Sequence, residues 1–415
     1  MVNKMYKSEF LQILYERGFI NQCTNQEGLD VLLSKEKVTG YIGFDCTAKS
    51  LHVGNLVQLM MLRWFQKCGH APIILFGDAT TRIGDPSGKD KARQLLSIPD
   101  IEKNKTSISQ VINKFLDEGR AQLTSNADWL LKINYIDFLR DYGKLFSINR
   151  MLAFESVKLR LEREQSLSFL EFNYMLLQAY DFLHLYNTKD CLLQLGGSDQ
   201  WGNIICGIEL IKKIHTKEAF GITAPLITTA SGAKMGKSEK GAIWLNADML
   251  SSYEYWQFWR NIEDADVERF LKLFTELPLS EIERLSKLKD KEINEAKIIL
   301  ANEATKLCHG QEAANNAMLT SQYTFVQGDL GAELPVITIT KDELLQGIEA
   351  FKLFVIAGLA ESNTLSRKLI NGKGARINNE IINDPMAIID ESYLSDGKMK
   401  LSSGKKKHLI VKISD

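Results

Sequence analysis

The sequence predicts an α/β protein built on a doubly wound, Rossmann-like parallel sheet, and three observations lead there. Short apolar segments at Val38 to Phe44, Pro72 to Phe76 and Cys191 to Leu195 read as buried strands, each followed at once by a glycine or an acidic residue. A helical pattern lies between the first two, from about Leu51 to Lys67, with Val53, Leu56, Val57, Met60 and Trp64 at helical spacing and Gly69 placed to end it. Strand, helix and strand in alternation require a crossover connection, and that makes the sheet parallel with helices on both faces.

The rest of the chain divides around that core. Residues 1–225 are expected to form the sheet domain, with a mainly helical insertion from about 90 to 178. Residues 226–250 read as a lysine-bearing loop and connector, and 251–327 as an all-helical domain. A glycine- and proline-containing stretch, Gly328 to Pro335, marks a linker expected over 328–348. A small α+β unit then occupies 349–415.

Composition excludes several function classes. The 415 residues are 45% hydrophobic and 25% charged, ordinary for a globular protein with two or three cores. No apolar run approaches the ~18 residues that span a bilayer, and charges stand where a signal peptide would be apolar, so a cytoplasmic protein without a membrane partner is expected. The six cysteines are far apart and no His/Cys spacing suggests a metal site. The net charge of −1 divides into +3 over 349–415 and −4 over the rest, an asymmetry that permits a nucleic-acid partner at the C-terminal end.

Two short segments carry candidate chemistry. In the first, Tyr41-Ile42-Gly43-Phe44-Asp45, Thr47 and His52-Val53-Gly54-Asn55 place a strand end, a loop and a helix N-terminus together, an arrangement that favours anions through backbone N–H groups and the helix dipole. Gly54 would leave room for a flat base. The second, Lys234-Met235-Gly236-Lys237-Ser238, puts two lysines on a glycine-flanked segment able to close on phosphates. Each alone is equally compatible with an ordinary helix start and a solvated turn.

A third constellation lies in Phe169 to Tyr186, where Tyr174, Gln178 and Asp181 share one helix face inside a mostly apolar run. Buried polar groups need partners, and a polar network and a ligand both satisfy that demand. Gly84 to Lys89 fails the spacing of a phosphate loop, since Gly88 follows Gly84 by four residues, and reads as a tight turn.

Together the first two segments resemble the paired signatures of class I aminoacyl-tRNA synthetases. The segments Tyr41 to Leu56, Gly84 to Lys89, Leu177 to Phe182 and Gly196 to Asn203 narrow the resemblance to bacterial-type tyrosyl-tRNA synthetases, over essentially the whole chain. Asn55 and Gly236 depart from the class pattern, which has histidine and serine there. The resemblance implies a tyrosine–tRNA ligase that makes tyrosyl-adenylate from ATP and passes tyrosine to the terminal adenosine of tRNA(Tyr). It implies a tyrosine site of Tyr41, Asp85, Tyr174, Gln178, Asp181 and Gln200. The implied ATP site is Gly43, Asp45, His52, Gly54, Asn55, Gly197, Asp199, Lys234 and Lys237, with Gln194 a weaker pocket candidate. Thr47, His52, Lys234 and Lys237 would be catalytic, with Mg²⁺ on the phosphates and no metal held by protein ligands. Near the C-terminus, Ser366 to Gly372, Ile377 to Asn379 and the Lys405 to Lys407 run resemble an S4-type RNA-binding domain, implying tRNA contacts from Arg367, Lys368, Lys373 and Arg376. A homodimer joined through the helical insertion is implied too, with no DNA partner. A tryptophan-type synthetase and a catalytically silent RNA-binding relative are the rival readings.

Overall fold

The computed structural model describes residues 5–85, 96–117, 119–164, 166–232, 235, 237–238, 241–326, 334–395, 397–404 and 407–414. The chain divides into two compact units, Met1–Met249 with Ile262–Leu300, and Leu250–Asn261 with Ala301–Asp415.

The first unit carries a six-stranded sheet of β1 (Gln22–Cys23), β2 (Thr39–Phe44), β3 (Ala71–Phe76), β4 (Gln122–Ser125), β5 (Cys191–Gly197) and β6 (Phe220–Ala224), in the spatial order 1-6-5-2-3-4. All pairs are parallel except β1 with β6. The chain steps outward one way from β2 through β3 to β4 and the other way through β5 to β6. The order therefore reverses between β2 and β5, and the strand ends there, Phe44 and Gly197, open the crevice where such sheets take ligands.

The helix Val53–Lys67 covers one face, burying Leu56, Val57, Met60 and Phe65, with Phe10 edge-on to Phe65 at 5.0 Å. It stops where expected, at Gly69, whose φ of 85° is one that few other residues adopt without strain. The helices Phe169–Lys189 and Trp201–His215 cover the other face around Tyr41, Ile73, Leu75, Phe182 and Leu210. Gly207 makes their contact possible, since a Cβ there would lie 2.9 Å from the Phe182 ring. Truncating the fully buried Phe182 to alanine would cost about 3–5 kcal/mol by cavity formation.

Three expectations are corrected. The insertion expected over 90–178 is helical for most of its described length but contains β4, which extends the sheet beside β3. Its Gln-Leu-Thr-Ser sequence is too short and too polar to show strand periodicity. The described part of 251–327 is mainly helical, as expected, yet the first unit takes Ile262–Leu300. Arg17 ties that segment down by donating to the carbonyls of Thr275 at 3.0 Å and Leu277 at 2.7 Å, and Arg63 pairs with Glu276 at 2.7 Å.

The third correction concerns the linker. Within its described part, Val336–Thr340 is a strand parallel to Lys407–Ser414. It forms one edge of a five-stranded sheet with Glu380–Ile381, Ala375–Ile377 and Lys398–Ser403. Gly328 to Pro335 hid the alternation of Val-Ile-Thr-Ile-Thr that follows. Leu353, Phe354, Ile370, Met399, Leu401 and Val411 form the core of this sheet and its helices.

Candidate active site

Midway along β2, Tyr41 is 1% exposed and packs its ring 5.3 Å from Phe182. Its hydroxyl is buried without a hydrogen-bond partner. Burial, and then the charge of Asp181, push this phenol well above its ordinary range, so it stays a neutral donor. Asp181, from the facing helix, is 2% exposed. One carboxylate oxygen accepts from Trp129 Nε1 at 2.7 Å and the other from Asn126 Nδ2 at 2.9 Å. Burial raises the Asp181 carboxyl to about 7, against the two donors that hold it down.

Further along that helix face, the Tyr174 hydroxyl donates to Asp45 Oδ1 at 3.1 Å, and Thr80 Oγ1 donates to the same oxygen at 3.0 Å. Gln200 donates to Asp85 at 2.7 Å, and Asn203 joins the side-chain oxygens of Gln178 and Gln200 at 2.8 and 3.2 Å. Five of the six residues expected at the tyrosine site, Asp85, Tyr174, Gln178, Asp181 and Gln200, thus make side-chain hydrogen bonds, and the sixth, Tyr41, packs its ring on Phe182 of the helix that carries three of them. Gln194 lies opposite Tyr41 in the ladder and is 2% exposed, with its side-chain oxygen unpaired.

The helix start differs in detail from expectation. His52 caps it: Nδ1 accepts from Gly54 N at 3.0 Å, so the proton of the neutral ring resides on Nε2. Asn55 returns the favour by accepting the His52 N–H at 3.2 Å. A Cβ on Gly54 would lie 2.7 Å from the His52 ring and 3.3 Å from the Met235 carbonyl. The missing side chain at Gly54 therefore admits the His52 ring and the Met235 carbonyl beside the first turn of the helix. Gly43 and Thr47 are exposed at the strand end and the loop. A Cβ on Gly197 would lie 2.6 Å from Asp199 Oδ1.

Lys234 lies outside the described residues. Lys237 begins the strand Lys237–Ser238, paired antiparallel with Gly241–Ala242. The neighbouring chain is tied to the helix start, since Val53 N donates to Ile243 O and Leu245 N to Leu51 O, both at 2.9 Å.

Asn126, Trp129, Thr80 and Asn203 were not found by sequence reasoning. Asn126, Trp129 and Thr80 sit in short stretches without periodicity, and only their burial beside Asp45 and Asp181 reveals a role. In the second unit, Arg367 and Lys368 are exposed on the helix Asn363–Asn371, with the Arg367 guanidinium 4.1 Å over the Phe351 ring. Lys373, at a φ of 56°, turns the chain, and exposed Arg376 follows on the next strand, donating to Asn379 O at 3.0 Å. Among the described residues no group of His, Cys, Asp and Glu is placed to hold a metal, and no helix is long and apolar enough to cross a membrane.

Residues 33–326 match the family model of class I tRNA synthetases for tryptophan and tyrosine. Curated tyrosine–tRNA ligases of Bartonella quintana and Bradyrhizobium diazoefficiens are 56% and 53% identical, each over 98% of this chain and 99% of the relative. A C-terminally truncated mitochondrial tyrosyl-tRNA synthetase of Aspergillus nidulans superposes with a TM-score of 0.69 at 33% identity, over 76% of this chain and 94% of that one. An Archaeoglobus fulgidus tyrosyl-tRNA synthetase shares the fold at a TM-score of 0.56 and 18% identity, over 75% of this chain and 100% of that one. With its sheet, its paired signatures and full-length relatives in agreement, the chain belongs to the class I aminoacyl-tRNA synthetases, among the tyrosine–tRNA ligases of bacterial type.

Proposed function

We propose that the pocket between β2, β5 and the helix Phe169–Lys189 binds L-tyrosine, with the phenol between Asp181 and Tyr41 and the ammonium toward Tyr174, Gln178 and Asp85. The observation that carries this reading is the buried, unpartnered hydroxyl of Tyr41 beside the buried carboxylate of Asp181. A buried polar atom without a partner costs about 1–3 kcal/mol, and a ligand hydroxyl there would relieve it. Phenylalanine would leave the Tyr41 hydroxyl unpaired and bring no donor to Asp181, whereas an indole brings one donor at another position. Gln200, linked to Asp85 and Asn203, stands toward the amino acid's carboxyl end.

ATP would lie over Gly43, Asp45, Gly54, Asn55, Gly197 and Asp199, with ribose hydroxyls toward Asp199. The tyrosine carboxylate would attack the α-phosphate, forming a C–O–P linkage as the bond to pyrophosphate breaks. No side chain becomes covalent. Charge grows on the departing pyrophosphate, so donors placed in advance lower the barrier: Thr47 and the His52 Nε2–H from the fixed side, Lys234 and Lys237 from the lysine loop. Mg²⁺ would arrive on the triphosphate, whose oxygens suit it as ligands. Transfer to the terminal adenosine of tRNA(Tyr) would follow, with Arg367, Lys368, Lys373 and Arg376 contacting tRNA phosphates in the cytoplasm.

A homodimer fits the surface of the insertion, where Leu131, Tyr135, Ile136, Ile148 and Phe169 are 55%, 56%, 68%, 64% and 71% exposed. The deciding experiment for the activity is ATP–pyrophosphate exchange with tyrosine, phenylalanine and tryptophan offered separately. Exchange with tyrosine alone is expected. Exchange with tryptophan instead, or with none of the three, would overturn the reading.

A further inference from the structure

Beneath the tyrosine pocket lies a charged pair that touches no part of the proposed substrate path. Asp78, the first residue of the short helix Asp78–Thr81 after β3, is 2% exposed. Its Oδ2 accepts from Lys105 Nζ at 2.9 Å and Ser125 Oγ at 2.5 Å. Its Oδ1 accepts from the backbone N–H groups of Ala79 and Ala127, both at 3.1 Å. Four donors fill the acceptor positions of a carboxylate, leaving none for a ligand. Those donors nonetheless hold the carboxyl below its usual range although burial pushes it up, so it remains charged.

What the pair grips is informative. Ser125 and Ala127 flank Asn126, which is fully buried. The Asn126 side-chain oxygen accepts the Ala79 N–H at 3.0 Å, and this forces the amide nitrogen the other way. That nitrogen donates to Asp181 at 2.9 Å and to Thr80 Oγ1 at 3.1 Å. Thr80 in turn donates to Asp45, the acceptor of the Tyr174 hydroxyl. One carboxamide therefore joins the phenol end of the pocket to its amino end.

An ion pair with one buried partner, Lys105 being 27% exposed, is weak evidence of added stability, because desolvation of the carboxylate offsets much of the attraction. Its geometric effect is another matter. We propose that the Asp78–Lys105 pair is a positioning element for tyrosine recognition: by clamping the residues on both sides of Asn126, it sets the Asn126 carboxamide and hence the acceptors at both ends of the pocket. This rests on the assignment of Asp181 to the substrate phenol. Asp78 and Lys105 are positioning residues and touch no reacting atom.

The test uses the full chain carrying Asp78→Asn, Lys105→Met, the two together, Lys105→Arg and Ser125→Ala, with Asp181→Asn as reference. Exchange kinetics give KM for tyrosine and for ATP separately, and kcat/KM for tyrosine over phenylalanine. Asp78→Asn and Lys105→Met are expected to raise the tyrosine KM by roughly tenfold or more and to lower the tyrosine/phenylalanine ratio, while the ATP KM stays put. Lys105→Arg should restore both readings. A general weakening of the fold would move both KM values and leave the ratio alone. An unchanged ratio in the double variant, with the ratio collapsed in Asp181→Asn, overturns the proposal and spares the phenol assignment. An unchanged ratio in Asp181→Asn itself overturns that assignment, and the proposal with it. Should the charge variants fail to fold, Ser125→Ala removes one hydroxyl only and decides: a lowered ratio supports the clamp, an unchanged ratio overturns it.

Discussion

Asn55 and His52 cap the same helix from opposite directions: the Asn55 side-chain oxygen accepts the His52 backbone N–H at 3.2 Å, and His52 Nδ1 accepts from Gly54 N at 3.0 Å. At position 55, where the resemblance to class I synthetases implies a second histidine, this chain carries a capping amide instead.

Two roles of Asn55 can be separated. Asn55→Ala removes the reciprocal acceptor and should cost about 0.5–2 kcal/mol in chemical denaturation. Asn55→Asp keeps an acceptor oxygen and adds a charge that the helix N-terminus welcomes. It should therefore hold stability within roughly 0.5 kcal/mol of the unaltered chain. The same charge would repel triphosphate, so the ATP KM should rise for aspartate more than for alanine. Equal ATP KM values in the two variants would place Asn55 away from the phosphates.

At the phenol end, Tyr41→Phe removes a neutral donor and Asp181→Asn a charged acceptor. Hydrogen bonds to charged groups are worth about 1.5–3 kcal/mol against about 0.5–1.5 for neutral ones. Discrimination between tyrosine and phenylalanine, read as the ratio of kcat/KM, should thus fall further in Asp181→Asn than in Tyr41→Phe. The reverse order would show that the hydroxyl, not the carboxylate, sets the specificity.

The titration of Asp181 has a definite sign. Its carboxyl lies at about 7 in the folded protein, raised chiefly by burial, against ~3.9 for an unfolded aspartate. Its contribution to stability is therefore full below pH ~4 and is lost as the pH rises through 7. Asp181→Asn should remove that decline, so its stability relative to the unaltered chain should improve between pH 4 and 7. Ligand binding runs the other way, because the phenol needs the ionised acceptor. The dissociation constant for tyrosine, followed by fluorescence without ATP, should fall from pH 6 to 8 and become flat in Asp181→Asn.

The parts legible in the sequence were those with a periodic or compositional signal. Val38 to Phe44 and Leu51 to Lys67 announce a buried strand and its helix through apolar spacing, and β2 and the helix Val53–Lys67 follow them closely. Tyr174 and Asp181 stood out as polar residues in an apolar helix, and both are buried. Asn126 and Trp129 carried no such mark. They act on Asp181 from the turn and the short helix Ala127–Leu130 that follow β4, a polar four-residue strand that only its pairing with β3 identifies. Asp78 was invisible for a similar reason, since an aspartate opening a short helix is ordinary until its four donors are seen. The strand Val336–Thr340 was hidden by distance: its partner Lys407–Ser414 lies some 70 residues away in sequence.

That strand changes where the unit proposed to contact tRNA should be cut. A chain ending at Thr340 would keep Val336–Thr340 without Lys407–Ser414, leaving an unpaired edge prone to aggregation. A chain ending at Val326 removes the five-stranded sheet together with Arg367, Lys368, Lys373 and Arg376. The tyrosine and ATP groups described above lie on the first unit, so tyrosine-dependent ATP–pyrophosphate exchange should persist. Charging of tRNA should fall by at least roughly tenfold at limiting tRNA, since affinity for a nucleic acid is largely a sum of phosphate contacts. Replacing the four cations by glutamine in the full chain tests the same idea without deletion. Each phosphate contact contributes about 0.7–0.9 to the slope of log affinity against log salt, so the slope should flatten by roughly three. Arg367 also lies over the Phe351 ring, 4.1 Å from its centre, and its replacement alone should show a small loss of thermal stability that Lys368 does not share. Full charging by the chain ending at Val326, at the unaltered dependence on tRNA concentration, would show that this sheet and its cations do not carry the tRNA.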